Sequence, residues 1–144
     1  MMNSVLSYIK SGLYSLYYAF YVLMEGLLRI SHSWAPIISI TGILSLLATL
    51  PLISLIRVTS LCWANWDIPA TFVIVIGILI WIGIYWLTYH YYLTIQKSID
   101  NRFQNDTIYK KVFFGTIAIV LIGLSFYVSD ILFDIYLTKW KNLS

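Results

Sequence analysis

Asp130 and Asp134 stand one helical turn apart at the end of a long apolar run, with Thr116, Gly123 and Tyr127 on the same stripe. Ionisable groups in a membrane span usually face protein or water, where they serve ion sites, proton relays or pairing. The chemistry open to this pair is therefore a cation or proton site, or a contact with a basic group such as Arg57. The simpler expectation is hydration at interface depth, because the uninterrupted apolar run already ends at Ser129.

The other chemically able residues are few. His32 and His90 are the two histidines, fewer ligands than a metal site ordinarily needs. Cys62 is the single cysteine, so no intrachain disulfide and no cysteine-rich metal site is possible. There is no glycine-rich phosphate loop, no His-Glu-x-x-His and no plausible Ser-His-Asp set. The chain reads as a non-enzyme without metal or cofactor.

A second constellation lies in the opening stretch, Ser4 to Ile30, "SVLSYIKSGLYSLYYAFYVLMEGLLRI". At about 100° per residue its polar side chains gather on one broad face. Ser7, Ser11, Ser15, Tyr18, Glu25 and Arg29 form a candidate helix-contact or pore-lining face, with Glu25 and Arg29 spaced i, i+4 for pairing. Leu6, Ile9, Leu13, Leu16, Phe20, Leu23, Met24 and Leu27 form the other face. Ser7, Ser11, Ser15 and Ala19 make a ladder of small residues suited to close helix contact. Lys10 alone is basic in the first turns, fewer cations than a helix held on anionic lipid by charge carries.

These residues need elements to hold them, and composition says which kind. The chain has 144 residues, 60% hydrophobic and 10% charged, with mean hydropathy +0.84. Soluble domains carry roughly a quarter charged residues, so there is too little polar surface here for a soluble particle. Three apolar runs, 34–56, 68–95 and 112–137, each reach the roughly 20 residues that cross a bilayer as helix. The alternating polarity of a transmembrane strand is absent. The expected fold is an all-α integral membrane protein of one domain, 1–144. It has four helices, one amphipathic over about 4–30 and three spanning; the alternative is four spans. Residues 96–111, "QKSIDNRFQNDTIYKK", read as the hydrophilic loop, and Arg57 to Asp67 as a short turn with Asp67 capping the helix that follows. Pro51 should kink the first run, and Gly42, Ser45, Thr49 and Gly77 are packing candidates. The N-terminus shows no signal-peptide pattern.

Charge sets orientation. The net charge of +3 comes from nine scattered basic residues, most of them flanking apolar runs, which is no nucleic-acid footprint. Lys97, Arg102, Lys110 and Lys111 place the 96–111 segment in the cytoplasm by the positive-inside rule. With the first helix on the interface, six basic residues lie on that side against three, Arg57, Lys139 and Lys141, which favours three spans. The expected function is a non-catalytic small multi-pass membrane protein, a subunit or assembly partner in a membrane complex. Its partners would be the lipid bilayer and either itself or a larger membrane protein. The alternative is a homo-oligomeric pore of the lysis or defence type, and the third reading is a small ion-coupled transporter using Asp130 and Asp134.

Overall fold

The computed structural model describes residues 2–27 and 35–143, with the backbone alone described at 27 and 35–39. Helix α1 runs Met2–Val22 and continues into a π-helical turn, Leu23–Leu27; α2 is Ala35–Ala64, α3 Ala70–Asn105 and α4 Ile108–Leu143. No strand occurs among the described residues. Ile40–Ala64 of α2, the whole of α3 and the whole of α4 are long and apolar enough to cross a membrane. The chain is thus an all-α protein built for a bilayer, with backbone hydrogen bonds closed inside each helix. At 36 residues, α3 and α4 are each about 54 Å long, well beyond the ~30 Å of a hydrocarbon core.

Three boundaries differ from the sequence reading. Residues 96–111, expected as a loop, are helical except at 106–107, because α3 continues to Asn105 and α4 begins at Ile108. Ile95, Ile99 and Phe103 recur at i, i+4 along this polar stretch and give it a face to bury; Ile99 is fully buried. Thr107 stands just before α4, its carbonyl accepting from Lys111 N at 3.1 Å. The turn expected from Arg57 is also shorter, since α2 persists to Ala64. It ends at Asn65, whose φ of 49° is left-handed, a conformation that Asn tolerates at helix ends. Helix α3 starts at Ala70 with Pro69 just before it, so Asp67 is not its cap; its carboxylate is engaged elsewhere, as described below. The amphipathic helix expected over 4–30 is regular only to Val22, and 28–30 lie outside the described residues.

The chain divides into two compact units. One comprises Gly42–Leu87 with Ile122–Ser144. Here Pro51, lacking an N–H, leaves the Leu47 carbonyl without its usual donor four residues on. Ser125 on α4 supplies one, its hydroxyl donating to Leu47 O at 2.7 Å. Ser45 and Thr49 are buried on α2, and the Thr49 hydroxyl returns to Ser45 O at 2.6 Å. Gly77 lets α3 come close, because a Cβ there would stand 2.5 Å from Ile53 Cδ1. The other unit, Met1–Thr41 with Thr88–Leu121, holds α1 and the π-turn.

Candidate functional site

In the unit containing α1, tyrosines dominate the packing. Tyr17, Tyr18, Ala19, Phe20, Tyr21 and Val22 are all buried, so the C-terminal turns of α1 are enclosed on every side. Four tyrosine hydroxyls of α1 reach residues 88–106. Tyr17 donates to Thr88 O (2.9 Å), Tyr21 to Asp100 Oδ1 (2.5 Å) and Tyr18 to Asp106 Oδ2 (2.6 Å), while Tyr14 bonds Ser98 Oγ (3.0 Å). In return Tyr91 donates to Lys10 O at 2.9 Å.

The order of these contacts fixes the crossing. Two helices lying side by side would meet in order along both chains. Taken along α1, the residues 10, 14, 17, 18 and 21 instead meet 91, 98, 88, 106 and 100. Ordered by angle around α1 at about 100° per residue, they run 17, 10, 21, 14, 18, and their partners run 88, 91, 100, 98, 106. The partners, four on α3 and Asp106 just beyond it, thus run nearly in order with the angle around α1 and out of order along it, the pattern of a helix crossing α3 rather than lying along it.

Arg102 is the centre of the clasp. Its guanidinium lies 4.2 Å from the Tyr18 ring centroid and 4.9 Å from that of Phe114, and its Nε is 3.4 Å from Asp106 Oδ2. The Tyr18 ring meets Phe114 edge-on at 4.9 Å. The hydrogen bond from Tyr18, then the Arg102 charge, hold the Asp106 carboxyl below its ordinary range. Burial first, and for Tyr18 and Tyr21 the carboxylates they bond, push the phenols up; Tyr17 rises to about 12 through burial. Glu25, on the π-turn, is raised by burial and then by the Asp100 charge.

The residues singled out in the sequence are not brought into one site. Asp130 and Asp134 are exposed on α4, and Arg57 goes elsewhere: 3.6 Å from Asp67 Oδ1 and donating to Tyr136 Oη at 2.6 Å. Tyr136 in turn donates to Asp67 Oδ1 at 2.6 Å, closing a triad, with the guanidinium 4.1 Å from its ring centroid. Ser7 and Ser11 are exposed, Ser15 is half-buried and Tyr18 is fully buried. Arg29, and with it the Glu25–Arg29 pair, lies outside the described residues, as does His32.

Sequence reasoning missed Tyr14, Tyr17, Tyr21, Asp100, Arg102 and Asp106 as a set. The signal available was the spacing of tyrosines 14, 17, 18 and 21 on one arc of a helix, but nothing local named their partners some 80 positions away. No family model, curated protein or solved structure matches the chain.

Proposed function

We propose that the chain is a non-catalytic multi-pass membrane protein that serves as a subunit of a membrane complex. One observation carries this reading: only 6% of the apolar window of α3 and 11% of that of α4 are buried within the chain. Gly83 and Gly123 are exposed on those helices with open space beside them, and small residues let a neighbouring helix approach. The ionisable groups Arg57, Asp67, Arg102 and Asp106 are engaged with one another and with tyrosines, which suits a structural part.

The arrangement of α1 supports three spans with α1 in the plane of the bilayer. A helix lying across a spanning helix runs parallel to the membrane. Met2, Val5, Leu6 and Ile9 form an exposed apolar stripe, and Ser4, Ser7 and Ser11 an exposed polar one. At about 100° per residue the tyrosine arc starts beside the apolar stripe at Tyr17 and ends within the serine stripe at Tyr18. Such a helix turns its oily side to acyl chains, its serines to water and its edge to α3. With Lys97, Arg102, Lys110 and Lys111 on the cytoplasmic side, Cys62 faces outward, and a membrane-impermeant thiol reagent labels it in intact cells.

Extraction in mild detergent followed by native mass measurement tests the subunit reading. A discrete assembly of the 16.7 kDa chain with a second polypeptide is expected. A ring of this chain alone would transfer the reading to a homo-oligomeric pore, and a stable monomer would refute both.

A further inference from the structure

The unit that holds α1 carries a groove of about 330 Å³, with Val22 and Gly26 on one side and α4 from Ile108 to Ile119 on the other. Val22 and Gly115 are buried at its floor, and Ile108 and Ile119 are exposed toward its two ends. Gly26 is exposed, and a Cβ built there would meet no atom within 4 Å, so the space beside the π-turn is open. Lys111 is the one charged residue among the described lining residues. It stands in the first turn of α4, where the apolar run begins at Val112. Its ammonium rests 4.1 Å from the Phe103 ring centroid, and no described carboxylate pairs with it. A positive charge at headgroup depth thus stands at the polar end of an apolar groove.

Shape narrows the occupant. From Ile108 to Ile119 the helix rises about 16 Å, so the groove has a mean section of about 20 Å². A helix about 10 Å across needs about four times that section. The groove therefore takes a single extended hydrocarbon chain and not a helix. In a bilayer the molecules that join such a chain to a headgroup are the lipids, and a lysine at the surface favours those with negative charge. We infer that this groove binds one anionic phospholipid, with an acyl chain between the π-turn and α4 and the headgroup against the Lys111 ammonium. The site needs only the spanning α4 and the end of α1 beside it, and it does not depend on the subunit reading.

Native mass spectrometry of the full chain in mild detergent, titrated with dioleoyl phosphatidylglycerol or dioleoyl phosphatidylcholine, tests the site. One phosphatidylglycerol should bind about fivefold more tightly than phosphatidylcholine, the selectivity that one lysine supplies at a membrane surface. Lys111→Gln should bring the two lipids level. Lys97→Gln removes an equal charge from an exposed position on the same segment and should leave the preference intact. Gly26→Leu puts a side chain into the groove and should lose the bound copy of either lipid. Lys111→Gln, at a half-exposed position, remains a foldable probe if Gly26→Leu does not fold. The proposal is overturned if both lipids bind the unaltered chain equally, if Lys97→Gln levels them as Lys111→Gln does, or if Gly26→Leu retains the bound lipid. A dimer that Gly26→Leu dissociates with lipid binding unchanged would also overturn it, and would give the groove to a second copy of the chain.

Discussion

Replacing Ser125 by alanine strips the Leu47 carbonyl of the donor that stands in for the missing N–H of Pro51. An unsatisfied buried carbonyl costs ~1–3 kcal/mol in a protein interior. Hydrogen bonds between helices in a membrane average only ~0.6 and reach ~1.7 kcal/mol, because the separated helices find other partners. The carbonyl here has no helical donor to fall back on, so the upper part of the membrane range applies, about 1 kcal/mol. In the Pro51→Ala background the new N–H of residue 51 reaches the same carbonyl, and Ser125→Ala should cost almost nothing. The coupling between the two substitutions is then about 1 kcal/mol, roughly a fivefold change in the unfolding equilibrium. Reversible unfolding of the four proteins in mixed micelles, titrated with a denaturing detergent, reads it directly. Equal costs for Ser125→Ala in both backgrounds would refute the pairing of proline deficit with serine donor.

Other outcomes follow from the clasp and from the triad. Tyr18→Phe keeps the ring against Arg102 but removes the bond to Asp106; at ~1.5 kcal/mol for a hydrogen bond to a charged group, hydrogen exchange in α1 should quicken about tenfold. Because the folded-state carboxyl of Asp106 is depressed, its contribution is complete above the unfolded value near 4 and lost as pH falls through the folded value, so Tyr18→Phe should flatten the acid limb of the stability profile. At alkaline pH the sign reverses: Tyr17 ionises near 12 in the folded chain against 10 in the unfolded one, so stability falls as pH rises through that window, and tyrosinate absorbance should appear together with loss of helical circular dichroism. Asp67→Asn weakens the Arg57–Tyr136 triad and should lower stability by about 1.5 kcal/mol, whereas Asp130→Asn with Asp134→Asn, at exposed positions, should change it by less than about 0.5 kcal/mol in the same micelle titration.

Much of the architecture was legible because lipid leaves a chain so few choices. Apolar runs of spanning length must be helices, and α2, α3 and α4 stand where those runs lie. The ends were misjudged for a shared reason. Between Gln96 and Asn105 polarity reads as loop, yet Gln, Lys and Arg are good helix formers, and the deciding fact is burial of Ile99 and Tyr92 in the unit that holds α1. Arg57 was one candidate partner for Asp130 and Asp134 beside the simpler expectation of their hydration, and it takes Asp67, ten positions away across the turn at Asn65. Glu25 was legible as a charge on a polar face. The hydrogen bond from Tyr21 to Asp100 was not legible, because a contact between residues 79 positions apart leaves no periodic trace in a single sequence.

The continuation of α3 to Asn105 also changes what its basic residues are. On a loop, Lys97, Lys110 and Lys111 would sample many positions, and a lipid phosphate or a partner would meet a blurred average of charge. On two helices joined by residues 106 and 107 their backbones hold fixed spacings, and Lys111 is further steadied 4.1 Å from the Phe103 ring centroid. The conformational freedom that a binding loop surrenders on contact is here already surrendered on folding. This end of the protein therefore presents a stationary template of positive charge, able to distinguish one headgroup geometry from another where a mobile loop would register only their total charge.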